Sequence, residues 1–185
     1  IERDGYKTKI TGLSEEGRTQ LVQVALRSDS LDIATRLINA GGEVFRLPIL
    51  PLIHYLALLM AEKQFGLALI MINEYCRTSP NFRPIRILES DCHFYLKQYD
   101  IAEKVLLELL NDANNILPFS EYYENSKLPD EYPFSMQDVI FLQTPISIYL
   151  RLALTARYRG HLDDFRSYVE KALAFDMNLP VSQYA

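Results

Sequence analysis

The chain has 185 residues, of which 49% are hydrophobic, and a formal net charge of −5. This length and composition are typical of a folded chain with a sizeable core and exclude a disordered one. The acidic balance argues against nucleic acid as the partner, because a surface that binds phosphates usually needs a concentrated basic patch.

Membrane insertion and a disulfide framework are both argued against by the sequence. The longest apolar stretch, residues 47–61, contains two prolines and a histidine, and it is short beside the roughly 20 residues of a membrane-spanning helix. Residues 1–20 carry charges throughout, unlike a secretory signal. Two cysteines, Cys76 and Cys92, are too few for a disulfide scaffold and are expected to be small core residues. An intracellular setting is therefore expected, cytoplasmic by default, with the nucleus and mitochondrion left open.

Pairs of helices are predicted along the first two thirds of the chain. First helices are predicted at about 17–27, 51–62 and 85–97, and a second helix follows each after a short turn. The second helices align on Ala34, Ala68 and Ala102, which recur with a period of 34. Large side chains three positions before and four after each alanine lie on the same helical face, and they are Leu31, Phe65, Tyr99, Ile38, Ile72 and Leu106. A small residue at that point lets a neighbouring helix approach closely.

An insertion is predicted at about 117–145. This segment is rich in Asn, Pro and Ser, which favour turns, and also in aromatic and acidic residues. Loops of this length inside a compact domain are usually functional or disordered. One interpretation is an ordered loop whose aromatic side chains pack on the neighbouring repeats; the other is a partner-binding segment with candidate contacts Tyr122, Tyr123 and Tyr132. A short helix is expected near Ser135, and Pro145 should interrupt it.

A fourth helix pair is predicted near the end of the chain. Its candidate residues include Tyr149, Leu152, Ala153, Gly160, Phe165 and Ala172, whose spacing follows that of the tetratricopeptide repeat, which this part of the chain resembles. Phe165 replaces the alanine, and its separation from Ala102 along the chain is one period of 34 plus about 29 inserted residues.

The period of 34 and the residues at these positions resemble the tetratricopeptide repeat. The resemblance covers roughly residues 15–116 and 146–180. It implies an all-α fold, an α-α superhelix (TPR-like solenoid) of about four helix-turn-helix repeats. The chain would then be a single domain, 1–185, with repeats at about 15–48, 49–82, 83–116 and 146–180 and with the long insertion, about 117–145, before the last.

The same resemblance implies a non-enzymatic protein-protein interaction module, a scaffold or adaptor subunit of a larger complex. In such proteins a partner peptide or helix binds in the concave groove, which the first helices line. The candidate contacts on that face are Gln23, Arg27, Ile53, Ala57, Met60, Asp91, Tyr95, Arg157 and Tyr158.

Chemistry-bearing motifs are not apparent in the sequence. The histidines are far apart, and the adjacent Cys92 and His93 have no second pair at zinc-binding spacing. The scattered glycines form no phosphate-binding loop. His54 lies in a strongly apolar segment and is expected to be a core residue. We therefore predict no catalytic residue, no metal and no cofactor, and a protein as the partner.

Several alternatives stay open at this stage. Two groups of arginines are interpreted as solvated charge at helix ends, or else as a site for an acidic peptide; they are Arg77, Arg83 and Arg86, and Arg151, Arg157 and Arg159. The chain could also be a pentatricopeptide-like binder of single-stranded RNA, although its first helices lack a regular polar residue. A third alternative is a helical accessory domain of a larger enzyme.

Overall fold

A computed structural model of the chain describes residues 14–28, 30–40, 49–77, 82–111 and 141–174. Within these residues the fold is helical and contains no strand, so the predicted all-α class is confirmed. The chain divides into two compact units, 1–64 and 65–185. The principal helices of the described residues are α1 (Glu15–Arg27), α2 (Leu31–Asn39), α3 (Ile49–Ala61), α4 (Phe65–Cys76), α5 (Arg83–Tyr95), α6 (Tyr99–Asn111), α7 (Pro145–Arg159) and α8 (Leu162–Ala174).

The first unit contains α1, α2 and α3, each of which packs on the other two. Arg18 of α1 is buried and donates a hydrogen bond from Nη1 to the carbonyl oxygen of Leu37 on α2, at 3.2 Å. The hydroxyls of Thr35 on α2 and Tyr55 on α3 share a hydrogen bond of 2.8 Å. Between these polar links lies an apolar core whose side chains include Val22, Leu26, Ala34, Leu52, Leu56 and Leu59.

The second unit contains α4 to α8, and each helix packs on the next along the chain. Its core joins α5, α6 and α7 through Ile87, Val105, Leu106, Leu109, Ile148 and Leu152. The helices α6 and α7 therefore pack together although residues 112–144 separate them in sequence. Burial of these large aliphatic side chains, each of which stabilises the fold by about 1.5–3 kcal/mol, holds the two helices together.

Helix boundaries recur at a fixed interval. The helices α1, α3 and α5 begin at residues 15, 49 and 83, and α2, α4 and α6 begin at 31, 65 and 99, so both series keep the period of the aligned alanines. Those alanines are fully buried in each case, as are Ile72 and Leu106 four positions later. The first helices begin two residues earlier than predicted. Ser14 caps α1 by accepting from the amide of Gly17 at 3.1 Å. In α3 and α5, Pro51 and Pro84 lie inside the first turn, where a missing N–H costs no helical hydrogen bond.

The turn inside each helix pair also recurs. The amides of Ser30, Gln64, Gln98 and His161 each donate to a carbonyl oxygen five residues earlier, at 2.8–2.9 Å. Where the residue before that amide is described, it is left-handed, with φ of 58° at Lys63, 61° at Lys97 and 80° at Gly160. These features define a Schellman motif. Since Gly160 follows Lys97 by the same interval as Phe165 follows Ala102, the turn confirms the spacing that the sequence predicted for the fourth pair.

The start of α7 shows how the chain leaves the predicted insertion. Residues 141–143 are helical, the helix breaks at Thr144, and α7 begins at Pro145. The Thr144 hydroxyl caps α7 by accepting from the amide of Ser147 at 3.2 Å. The predicted interruption at Pro145 is confirmed. The helix predicted near Ser135 and the three tyrosines of the insertion, Tyr122, Tyr123 and Tyr132, lie outside the described residues.

The boundary between the two units falls at the turn between α3 and α4, inside the repeat predicted at 49–82. The single domain over 1–185 stays a prediction.

Lys97 allows a test of the recurrent turn. A left-handed conformation costs a residue with a Cβ roughly 1–2 kcal/mol, whereas a glycine adds about 0.4–1 kcal/mol of entropy to the unfolded chain. We expect Lys97→Gly to raise the free energy of unfolding by roughly 0.5–1 kcal/mol, measured by urea denaturation. Lys97→Ala keeps the Cβ and should give no gain. Equal gains in both variants would contradict the assignment of strain to the backbone.

Ala102 allows a test of the close helix approach. Because this alanine is fully buried, Ala102→Leu should overpack the second unit and lower the free energy of unfolding by about 1–3 kcal/mol. The matched control is Ala174→Leu, at an exposed alanine of α8, which should change it little. Chemical denaturation followed by circular dichroism measures both, and equal effects would contradict the proposed role of the alanine.

Candidate functional site

A groove opens between α5 and α7 within the second unit. Its volume is about 260 Å³. Both helices are the first members of their pairs, so the groove lies on the series of helices that the sequence predicts to face a partner. The residues that line it are Ser90, Asp91, Phe94 and Tyr95 of α5 and Leu150, Arg151, Leu154 and Thr155 of α7.

A two-pronged ion pair crosses the groove. Arg151 donates from Nε to Oδ1 of Asp91 at 2.8 Å and from Nη2 to Oδ2 at 3.0 Å. Its Nη1 donates to the hydroxyl and carbonyl oxygens of Ser147, at 2.6 and 3.3 Å. The Arg151 and Asp91 side chains are 24% and 20% exposed. This geometry fixes the plane of the guanidinium group and neutralises both charges.

Two opposing effects shift the pKa of the Asp91 carboxyl group. Burial raises its pKa above the ordinary value, and the charge and hydrogen bonds of Arg151 lower it by less. A carboxyl group taken out of water is harder to ionise, so Arg151 is the partner that makes the ionised form tenable here.

The hydroxyl groups of Ser90 and Thr155 in the groove donate their hydrogens within the protein. Ser90 Oγ donates to the carbonyl oxygen of Ala102 at 3.3 Å, which joins α5 to α6. Thr155 Oγ1 donates to the carbonyl oxygen of Arg151 at 2.8 Å, one helical turn earlier. The polar floor of the groove is thus hydrogen-bonded internally and does not require a ligand to satisfy these donors.

The walls of the groove are apolar and open to solvent. Leu150, Leu154 and Tyr158 are exposed and lie four residues apart, so they form one stripe along α7. Tyr95 at the end of α5 is also exposed. Large apolar side chains that lie together on a surface mark candidate interaction sites, whereas scattered ones need no explanation.

An aromatic cluster borders the groove at the C-terminal end of α5. Phe94 is its centre, with ring centroids 5.6 Å from Tyr95, 5.5 Å from Tyr99 and 5.1 Å from Tyr158. Phe65 of α4 stacks on Tyr95 at 4.9 Å. Aromatic pairs at such distances contribute about 0.5–1.5 kcal/mol each beyond the area they bury. The cluster therefore holds Tyr95 and Tyr158 in defined positions while leaving part of each ring exposed.

The structure brings some of the predicted contact residues together. Asp91 and Tyr95 line the groove, and Tyr158 adjoins it through Phe94. Arg157 is exposed, and its guanidinium carbon lies 6.0 Å from the ring centroid of Phe165 on α8.

The remaining predicted contacts lie in the first unit. Gln23 is half-buried and Arg27 exposed on α1; on α3, Ala57 and Met60 are half-buried. Ile53 is a fully buried core residue. In its present position, Ile53 packs inside the unit rather than presenting its side chain to a partner.

The arginines show the largest departure from the sequence interpretation. Arg83 is buried and donates to the carbonyl oxygens of Gln143 and Leu109, at 3.0 and 3.2 Å. Arg86 pairs with Glu89 on its own helix and with Glu108 on α6 at 2.9 Å. The interpretation of these residues as solvated charge at helix ends is therefore wrong for Arg83 and Arg86, because each joins one helix to another segment.

Two arginines of the fourth pair, Arg151 and Arg159, also join helices, whereas Arg157 is exposed. Arg159 of α7 binds Asp100 of α6 at 2.8 Å and also binds Glu103. Arg151 is held by Asp91, as described above. By contrast, Arg77 forms an exposed pair with Glu74 at 3.3 Å, as solvated surface charge does.

Sequence reasoning missed most of the groove. Leu150, Leu154 and Phe94 were not among the predicted contacts, and Arg151 was grouped only with its neighbouring arginines. The four-residue spacing of Leu150, Leu154 and Tyr158 was a usable signal, because residues at that spacing share a helical face. What the spacing could not show is that this face remains exposed.

Other chemistry is sparse in the described part of the chain. No group of three or more His, Cys, Asp or Glu side chains there could hold a metal ion, and none of the described helices is long and apolar enough to cross a bilayer. His54 is buried, as predicted for a core residue. Both cysteines are free thiols; Cys92 is fully buried, whereas Cys76 is partly exposed.

No protein family, curated protein or solved structure matches this chain. The function must therefore be argued from the groove itself.

The two thiols lead to a chemical prediction. Burial, together with the nearby charges of Asp91 and Glu89, raises the pKa of Cys92 to about 12, and burial also raises that of Cys76. Because the thiolate is the reactive form, we expect iodoacetamide at mildly alkaline pH to label Cys76 slowly and to leave Cys92 unmodified until the protein is unfolded. Peptide mass spectrometry measures both sites. Faster labelling of Cys92 in the native protein would contradict the described packing of α5.

Proposed function

We propose that this chain is a tetratricopeptide-like, non-enzymatic protein-binding module that acts as a scaffold or adaptor subunit of a larger complex in the cytoplasm. The groove between α5 and α7 receives a peptide or a helix of the partner. The observation that carries the proposal is the exposed apolar stripe of α7 beside a polar floor that is already hydrogen-bonded.

The architecture supports the tetratricopeptide-like part of the proposal. Helix pairs of this family recur with a period of about 34 residues and carry a small residue at the helix contact. The helix boundaries and buried alanines of this chain recur at that interval. The hydrogen bond from an amide to the carbonyl oxygen five residues earlier recurs in the turns of all four pairs, and regular turns of this kind are expected of stacked helical repeats.

The size of the groove suits side chains of a larger partner rather than a complete small molecule. Sites for cofactors and other small molecules usually enclose about 300–1,000 Å³, whereas this groove measures about 260 Å³. It accommodates one or two side chains of a partner that extends beyond it. Leu150 and Leu154 lie one helical turn apart, a spacing that suits contact with an amphipathic helix or an extended apolar peptide.

Leu154 is the position that tests the proposal. The partner is first captured from cells of the source organism, identified by mass spectrometry and purified, and its affinity for the protein is then measured by calorimetry. We expect Leu154→Asp to weaken binding at least about tenfold, because a carboxylate would be buried against apolar side chains.

The matched control is Ile101→Asp on α6. Ile101 is 45% exposed, as Leu154 is 44% exposed, but it lies outside the groove, so the partner should bind this variant as it binds the unmodified protein. Equal affinities of the two variants would contradict a partner site at the groove. Binding of single-stranded RNA at low salt would instead favour the pentatricopeptide-like alternative.

A further inference from the structure

The two charged residues that line the groove pair with each other. Among the residues that line it, Arg151 carries the positive charge and Asp91 the negative charge. Arg151 uses Nε and Nη2 on the carboxylate and Nη1 on Ser147. The guanidinium edge that would otherwise bind a carboxylate of a partner is therefore occupied by a residue of the protein itself.

An acidic partner would have to disturb this arrangement. If its carboxylate displaced Asp91, the Asp91 carboxyl would lose its counter-charge while still mostly buried, which is unfavourable for a charged group. If the two carboxylates shared Arg151, like charges would lie a few ångströms apart in a partly desolvated groove. Both outcomes disfavour an acidic side chain at this point.

An apolar partner meets no such penalty. The ion pair has no net charge, and the hydroxyl hydrogens of Ser90 and Thr155 are donated within the protein. Leu150, Leu154 and the aromatic rings of α5 supply the remaining contact surface. A groove without net charge is complemented by a partner surface that carries no charge.

We infer that Asp91 is a specificity-determining residue of the proposed partner site: by holding Arg151, it makes the α5–α7 groove select the uncharged, apolar face of an amphipathic helix and reject acidic peptides. This inference rests on the proposed function and deepens it, since it states the chemistry of the partner surface. It also decides against the acidic-peptide alternative for Arg151.

The test is a selection from a phage-displayed library of helical peptides in which the central contact position is randomised. The unmodified protein should enrich Leu, Ile, Met and Phe at that position. Asp91→Asn keeps the shape of the side chain but leaves Arg151 without its counter-charge, so it should enrich Asp and Glu instead. A selected acidic peptide should bind Asp91→Asn at least about tenfold more tightly than the unmodified protein.

Two further variants isolate the ion pair. In the double variant Asp91→Asn with Arg151→Gln, the gain for acidic peptides should disappear while apolar peptides are still selected. Arg151→Gln alone removes the cation that pairs with Asp91, so a basic side chain of the peptide can take its place and this variant should enrich Lys and Arg. The two single substitutions change opposite members of the ion pair, so the inference remains testable if one variant fails to fold. Circular dichroism shows whether each variant is folded.

The outcomes separate this inference from the proposed function. One outcome would overturn the inference and leave the function standing. In it, peptides bind the unmodified protein but not Leu154→Asp, and the residues enriched at the randomised position stay the same in Asp91→Asn and in Arg151→Gln. Enrichment of acidic peptides on the unmodified protein would do the same. No enrichment on the unmodified protein would count against the groove as a peptide site and would therefore overturn both.

Discussion

Burial of one small residue in each of the first three helix pairs is the constraint on which the structure depends. Ala34, Ala68 and Ala102 are fully buried and equally spaced, and larger side chains such as Ile72 and Leu106 are buried beside them. A larger side chain at the alanine position would separate the helices and leave voids that a close-packed interior does not tolerate. The regular spacing of these alanines along the chain matches the regular spacing of the helix starts and of the turns.

The least exposed arginines of the second unit act between helices. Arg83 joins α5 to the segment before α7, Arg86 joins α5 to α6, and Arg159 joins α6 to α7. These contacts lie around an apolar core, and the arginine side chains are at most 24% exposed, so salt screens them less than it screens fully exposed pairs. Their consequence for function is that the groove between α5 and α7 carries paired charge rather than an available cation.

The break in the repeat between α6 and α7 does not break the packing. Loop closure costs grow only slowly with length, so a long connection adds little to the cost of bringing two helices together. Ile148 and Leu152 of α7 meet Leu106 of α6 in the same core cluster. The fourth pair thereby follows the third in space, and the first helices α5 and α7 come to border one groove.

The local periodicity of the sequence predicted much of the fold. The alanine period, the offset of the fourth pair and the helix break at Pro145 were all predicted from the chain alone, because each depends on near neighbours along one helix or on the backbone chemistry of one residue. The helix starts were predicted two residues late, because sequence pattern defines the ends of a helix less well than its interior.

The sequence by itself determined which residues share a helical face, but only the tertiary structure decided which faces stay exposed. Leu154 and Leu152 are both leucines of α7, yet the second is fully buried and the first is open to solvent. Arg151 and Arg157 have the same chemistry, yet one pairs with Asp91 across the groove and the other lies beside Phe165. Contacts between residues distant in sequence, such as Asp91 with Arg151, depend on how helices cross, and no local pattern encodes that crossing.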